Sequence, residues 1–565
     1  MCFYLIKYDV IVIESGLDGL TASLKLAKSG KKVALFEKHS IPGGYATNFV
    51  RKGKDGNLYT FDVSLHSLSG MNRGCPTREL LENLEVYDLD IINNEDDILL
   101  IRKGEKIHIP NDSTKYKESP IKRYPQFKSG IENLFIYLNN SINSNSHDVS
   151  LDGVPLSECI KKYVNDDNFV EEFCYLWIYI GLPNDKIDAS YGMELISRYI
   201  FGGHSYPIGG SGRLSKTFSN HIKNNGGNIF LSSEIVKINT TEDKVISVTT
   251  KKGNTFFADE FVFACDPTNL FKLIDSNIQH SYVEKINAME KSTSIVQLYL
   301  GLYCHTKDLG IEQSHLFYYD DMDSNESYEC FKSRNIEKCN FVAVAYDQLD
   351  PDINKERSYL NVAILDFDYN WPERGTEEYK TKKEYVSNAL LEKLFKVYPK
   401  VKDHIQVIEL GTPKTMARYT NNSTGSIYGF SQNLKQGGLN RSSFKTPFEN
   451  AIVVGAWSFP GGDFEGAILS GSLGADRLLR KSPIKESNSS TLIPIKQLME
   501  GLIRKFNPEN ADGLDITYKF LFQGYDPIYL EIKNKTDRLL PDSETPEKVD
   551  TTLSMSHETW HKISF

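Results

Sequence analysis

Residues 8–37 read YDVIVIESGLDGLTASLKLAKSGKKVALFE. An apolar run, Val10 to Ile13, leads through a glycine-bearing turn into a helical pattern from about Leu20 to Lys28, and a second apolar run covers Val33 to Phe36. That order predicts a strand, a crossover helix and a parallel second strand, the half-unit on which nucleotide-binding α/β folds are built. Dinucleotide sites place G-x-G-x-x-G in the first turn and an acid about twenty residues on, where it takes a ribose hydroxyl. Here the six slots hold Glu14, Ser15, Gly16, Leu17, Asp18 and Gly19, and Glu37 ends the second strand. Gly16 keeps the slot where backbone approaches the diphosphate, and Gly19 keeps the close packing of helix on strand. Glu14 replaces the first glycine and Asp18 adds a second acid, and each close like-charge pair with a bound anion costs about 1–4 kcal/mol. Two readings stay open: a dinucleotide cradle that carries the acids, or a structural half-unit whose acids occupy the helix N-terminus themselves, where negative charge is favoured.

Outward from this unit, residues 80–200 mix charged loops such as NNEDD (93–97) with the aromatic stretch FVEEFCYLWIYIGLP (169–183). PIGGSGRLSKTFSNHIKNNGG (207–227) reads as a loop and helix, followed by short alternating strands up to FVFAC (261–265). A second mixed region fills 285–440, and then ENAIVVGAW (449–457) predicts a buried strand, with a glycine-rich turn and a helix of small residues behind it. The polar RKSPIKESNSSTLIP (480–494) reads as a linker. Beyond it Ile495, Leu498, Met499, Leu502, Ile503 and Phe506 fall on one helical face. Alternation at Ile516, Tyr518, Phe520 and Phe522, then at Ile528, Leu530 and Ile532, predicts two strands joined by a turn at Gly524 to Pro527. DTTLSMS (550–556) is a third run, leading to a short final helix.

The chain has 565 residues, 40% of them apolar and 25% charged, which excludes a disordered or fibrous protein and allows several cores. Lys plus Arg at 65 against Asp plus Glu at 75 speaks against a nucleic-acid-coating role. Eight cysteines without a C-x-x-C pair fit reduced packing thiols in a cytoplasmic protein. The longest apolar run, CYLWIYIGL (174–182), is about half of the roughly 18 residues a membrane span needs, so the expected membrane contact is peripheral.

Beyond the first turn, EKHSIPGGYATNFVRKG (37–53), FDVSLHSLSG (61–70), PIGGSGRLSK (207–216), SSEIVKI (232–238) and VVGAWSFPGGDFEGAILSG (453–471) stand in fixed order. Together they resemble the phytoene desaturase, carotenoid isomerase and retinol saturase family of FAD oxidoreductases. The resemblance implies an α/β fold. A Rossmann-like FAD-binding domain (1–80, 205–280 and 440–480) would be interleaved with an α+β substrate domain (81–204 and 281–439). It implies that Glu37, with Lys38 beside it, meets the adenosine ribose, and that Ser15, Gly16, Leu17, Gly19, Gly43 and Gly44 run along the diphosphate. The backbone at Val236 would meet the adenine, and Gly455, Gly461, Gly462 and Phe464 would lie along the ribityl chain and flavin. The chain departs from the family at Glu14, at Asp18 and at Ala456, where related flavoproteins often carry an acid.

Because a flavin supplies the redox step, the implied activity is exchange at C=C bonds of a polyene or other lipid, by desaturase, saturase or isomerase chemistry. The alternative is a non-catalytic lipid-binding protein with a degenerate flavin site. His66 and Glu465 are the candidate catalytic side chains; the equal alternatives are a histidine without a role and a carboxylate that caps a helix. Phe173, Tyr175, Trp177 and Tyr179 either line a lipid tunnel, touch a membrane surface or belong to the core. After the linker (481–494), residues 495–565 resemble the first part of a sterol carrier protein-like lipid-binding domain, which makes a partial α+β domain the expectation there. His557, Glu558 and His561 spell H-E-x-x-H, but no third ligand follows and no metal site is assigned.

Overall fold

The structure is a computed structural model that describes residues 7–94, 98–144, 148–274, 280–333, 335–353, 356–481, 515–522, 528–533, 536–540, 546 and 548–555. The chain divides into two compact units, the first spanning Met1–Asn145 and Leu151–Ile484, the second Ser146–Ser150 and Lys485–Phe565.

In the first unit, β1 (Lys7–Ile13), α1 (Leu17–Lys28) and β2 (Val33–Phe36) form the expected crossover, with Val10 level with Val33 and Ile13 with Phe36. The strand starts three residues earlier than the apolar run because Lys7 and Tyr8 also pair, with Phe257 and Ala258 of β3 (Thr255–Phe263). β4 (Ala451–Val453) lies parallel to β3 on the other side, and 228–230 runs parallel to β2. Strands 235–240 and 245–250 extend the sheet antiparallel. Val10, Ile11, Val12, Val33 and Leu35 are fully buried, each contributing about 1.5–3 kcal/mol of transfer free energy. Since β1, β2, β3 and β4 are mutually parallel, the residues that follow them (Glu14, Glu37, Ala264 and Val454) emerge at one edge of the sheet. Ligands of open α/β sheets bind at that carboxyl edge.

A second sheet takes the order 405–411, 294–302, 358–366, 341–345, 315–318, 98–102 and 105–109, antiparallel except where 315–318 meets 98–102. Its strands 294–302 and 358–366 are buried along their whole length, and their residues read as near-continuous apolar runs. Helix α2 (Ala189–Phe201) opens on an Asp188 cap that accepts from the Ser190 N–H at 3.0 Å, and α3 (Gly210–Asn224) follows the PIGG turn. Helix α4 (Phe464–Lys481) packs along α1, where Lys25 Nζ donates to Asp476 at 2.7 Å and Ser472 at 2.8 Å. The fold is thus α/β with a Rossmann-like domain, as the sequence implied.

One buried acid locks the two quoted motifs FDVSLHSLSG and PIGGSGRLSK together. Asp62 accepts from Ser211 N (2.7 Å), Ser211 Oγ (2.9 Å), Leu65 N (3.0 Å) and the Tyr206 hydroxyl (3.0 Å), and burial pushes its carboxyl up to about 6. An amide has one oxygen to offer those four donors. Asp62→Asn is therefore expected to cost about 1–3 kcal/mol, read as a lower denaturant midpoint at unchanged slope. An unchanged midpoint would show that the carboxylate is dispensable.

In the second unit, 515–522 pairs antiparallel with 528–533 and parallel with 551–555, and 536–539 adds a fourth strand that the sequence pattern does not announce. The expected helix through Ile495–Phe506, most of the linker, the turn at Gly524 to Pro527, the final helix and His557, Glu558 and His561 lie outside the described residues.

Candidate active site

A cavity of about 1540 Å³, its open mouth included, lies at the carboxyl edge of the first sheet and reaches to the second. Glu14, Gly16, Leu17 and Asp18 line it from the first turn, Glu37 from the end of β2, Gly43 to Ala46 from the loop beyond, and Ala264 and Cys265 from the end of β3. Its other wall carries Ile178, Leu195, Ile295, Val342, Ile364 and Leu365, with Tyr179 and Tyr199. One end is polar and backbone-rich; the other is apolar and aromatic.

At the polar end, the Glu37 carboxylate accepts from Ser15 N at 3.0 Å, Ser15 Oγ at 2.5 Å and His39 N at 2.8 Å. Glu14 sits at a φ of +71°, a conformation that costs a residue with a Cβ about 1–2 kcal/mol. Its carboxyl is pushed well above the usual range, first by burial and then by Glu37 beside it, with Lys38 opposing. Asp18, 7% exposed, is pushed up to about 7 by burial alone, against the pull of the N–H groups of Asp18 and Gly19 that it accepts. No side chain outside the helix caps α1.

His66 lies where the apolar wall begins. One ring nitrogen, Nδ1, is 3.2 Å from the Tyr179 hydroxyl, while Nε2 is buried with no protein partner. Burial, and His315 behind it, push its imidazole down to about 3, so the ring is neutral at ordinary pH. Glu465, at the start of α4, accepts from the Ser69 N–H. Burial pushes its carboxyl up to about 8, Asp463 adds to that and Arg198 opposes it. The Arg198 guanidinium on α2 donates to Asp463 at 3.0 Å. Arg441, buried and lowered to about 10 by desolvation, donates to the carbonyls of Tyr428 (3.2 Å), Ser458 (3.1 Å) and Ala456, tying together loops of the cavity wall.

Of the residues singled out in the sequence, Gly16, Leu17, Glu37, Gly43, Gly44, His66, Gly462, Phe464 and Glu465 line this cavity. Ser15 acts one step behind, through Glu37. Gly455 lies against Asp18, and Gly461 against the Arg441 guanidinium. Lys38 points its ammonium at the Arg418 carbonyl, 3.3 Å away, and Val236 is 40% exposed on its strand; neither belongs to the cavity wall. In the aromatic stretch, Phe173, Tyr175 and Trp177 are core, and Tyr179 faces the cavity. Arg198, Arg441 and Asp62 escaped the sequence reading, and Asp463 was read only as part of the glycine-rich turn Pro460 to Phe464. Arg198 had a signal, a lone cation in the apolar run of α2, whereas Arg441 had none.

A family model described as flavin containing amine oxidoreductase matches residues 19–479. The chain belongs to that family. FAD is the cofactor of this flavin oxidoreductase. Prolycopene isomerase 2, chloroplastic, of an Oncidium hybrid cultivar is 24% identical over 526 residues, 85% of this chain and 86% of that one. All-trans-retinol 13,14-reductase of Danio rerio is 24% identical over 510 residues, 79% of this chain and 82% of its own. Among solved structures, an oxidoreductase from Methanosarcina mazei superposes with a TM-score of 0.58 at 18% identity, covering 83% of this chain and all of that one, which supports the fold. The family match ends at residue 479, so the lipid-carrier likeness of the second unit rests on sequence pattern alone. No described helix is long and apolar enough to cross a membrane.

The cavity of this flavin oxidoreductase suits the cofactor. Gly16, Gly43 and Gly44 line the crevice without side chains, as close approach of a diphosphate requires, and packing holds Gly43 as glycine, since a Cβ there would overlap the Ala46 carbonyl. The first turn of α1 faces the crevice with its N–H groups, of which the Asp18 carboxylate already meets those of Asp18 and Gly19; Glu37 ends β2 in the position from which such folds take a ribose hydroxyl, and the unpartnered Nε2 of His66 lies at the apolar end.

Proposed function

We propose that this flavin oxidoreductase acts on C=C bonds of an apolar polyene, carotenoid-like or retinoid-like, by reduction, desaturation or redox-neutral isomerisation. One observation carries the reading: the crevice that begins at the dinucleotide loop continues into an apolar and aromatic wall rather than into a polar pocket. The two relatives named above, a prolycopene isomerase and a retinol reductase, point the same way. Bound FAD supplies the electron and hydride chemistry. The chain's own part is to hold and exclude. Gly16, Gly43, Gly44 and Glu37 bind the dinucleotide, and Ser15 keeps Glu37 aimed. Ile178, Leu195, Ile295, Val342 and Leu365 take the polyene and keep out water. Glu465 holds a proton on its carboxyl at neutral pH, and His66, neutral and oriented by Tyr179, offers Nε2.

The test is anaerobic incubation of the FAD-loaded protein, once with the flavin oxidised and once after reduction by dithionite, with prolycopene and with all-trans-retinol, with products separated by chromatography. Conversion of a polyene at a rate that falls about tenfold or more in His66→Ala or Glu465→Gln supports the reading. A protein that holds flavin, absorbing near about 450 nm, yet converts no polyene overturns it.

A further inference from the structure

The dinucleotide loop of this chain places an acid where the cofactor's diphosphate belongs. Asp18 is buried in the wall of the cavity at the first turn of α1, and its carboxyl is wedged between two backbones: Oδ1 is the atom nearest to a Cβ built on Gly16, and Oδ2 the nearest to one built on Gly455. Gly16 and Asp18 line the crevice, Gly455 lies behind the Asp18 carboxyl, and the N-cap Gly16 brings no side chain to α1. An ionised Asp18 and a diphosphate would be two anions in one desolvated corner.

We propose that Asp18 meets the diphosphate of FAD as a neutral carboxylic acid that donates a hydrogen bond to a phosphate oxygen, so that wherever the free carboxyl is ionised each FAD bound takes one proton into the site. This rests on FAD occupying the cavity and goes beyond it.

The surroundings of Asp18 favour the proton. Burial already holds its carboxyl at about 7 without a ligand, and a phosphate beside it raises that further. Apart from Lys38, the titratable groups around the loop are acids, a thiol and a phenol: Glu14 after β1, Glu37 after β2, Tyr45 beyond Gly44, Cys265 and Asp266 after β3, and Glu465 on α4. Burial first, and then the charges of Glu14, Asp266, Asp18 and Glu37, hold the Cys265 thiol well above its ordinary range. Lys38 is the cation of the loop, and it acts on Glu14. Glu14 is itself raised, by burial first and then by the Glu37 carboxylate beside it.

The linkage has a definite sign. Below about pH 6 Asp18 is protonated in the free chain and affinity is flat; above about 7 a proton must be recovered from solvent for each FAD bound, and affinity falls about tenfold per pH unit. Between pH 6 and 8.5 the dissociation constant is expected to rise about thirtyfold.

The experiment is isothermal titration of FAD into the cofactor-stripped full chain between pH 5.5 and 8.5. At each pH two buffers of different protonation enthalpy are used, so that the difference in heat counts protons. The expected result is uptake near one proton per FAD at pH 8 and near none at pH 5.5. Asp18→Asn, which keeps an N–H donor of the same shape, should bind at every pH about as the parent does at pH 6 and take up no proton. Glu14→Gln should leave the uptake in place. Constant affinity across the range, or uptake that survives in Asp18→Asn, overturns the proposal. Failure of the parent chain to bind FAD at any pH overturns it too, and is distinct because the cofactor reading then falls with it.

Discussion

Gly19→Ala is expected to leave a chain that purifies almost without flavin. A Cβ at residue 19 would overlap the carbonyl oxygen of Glu14 and stand 3.0 Å from the Ala264 Cβ, so it collides with the ends of β1 and β3 at once. Neither neighbour gives way easily. The Glu14 carbonyl belongs to a residue already held at a φ of +71°, and Ala264 is fixed by its N–H donating to the Ile13 carbonyl at 3.0 Å. The first turn of α1 must therefore lift from the sheet, carrying Gly16 and Asp18 out of line with Glu37. Overpacking of this kind costs about 1–3 kcal/mol, and a matching loss of cofactor binding is about 5- to 150-fold in affinity. The check is the ratio of flavin to protein absorbance after gel filtration, with the FAD-induced rise in melting temperature as second reading. A variant that keeps parental flavin content would show that α1 does not need the close approach to β1.

The contrast between what could and could not be read in the chain follows from the range of the interactions. The crossover 7–37 was legible because strand and helix signals are local: buried apolar runs of fixed period, broken by glycine. Even there α1 begins at Leu17 rather than Leu20, since the fingerprint residues themselves form its first turn. Each glycine-rich loop was visible singly, but their convergence is a product of parallel register, which brings Glu14, Glu37, Ala264 and Val454 to one edge from four distant places. The ion pair Arg198–Asp463 joins residues 265 apart, and the Arg441 bonds join one side chain to carbonyls that have no sequence signature. The strand 536–539 was invisible for another reason: KTDRLL does not alternate, and its pairing with 528–533 comes from the edge it completes.

Arg198→Ala is expected to produce the largest stability loss of any single substitution around the cavity, up to about 3–5 kcal/mol, because it strands the largely desolvated Asp463 carboxylate, 14% exposed. Arg198 is 5% exposed and its Nη2 lies 3.0 Å from Asp463 Oδ2, an oxygen that the Tyr191 hydroxyl reaches only at 3.4 Å. Asp463 also accepts from the Gly466 N–H and so shapes the start of α4, the turn that presents Glu465 to the cavity. Without the guanidinium, Asp463 repels Glu465 unopposed, and the Glu465 carboxyl rises beyond the value of about 8 that burial and Asp463 already give it. The pH dependence has one direction. A folded-state pKa raised above the unfolded value means that the folded chain holds a proton the unfolded chain has lost, so stability declines as pH rises from about 4.5 to about 8 through Glu465. In the variant that decline reaches to higher pH, since Arg198 no longer opposes the upward push on Glu465. Guanidinium denaturation at pH 5.5 and pH 8 should show the larger deficit at pH 8, and Arg198→Lys, which restores the charge without the fork, should recover part of it. A deficit below about 1 kcal/mol at pH 8 is the size of an exposed pair, and would mean that Asp463 finds solvent through the cavity mouth instead of depending on Arg198.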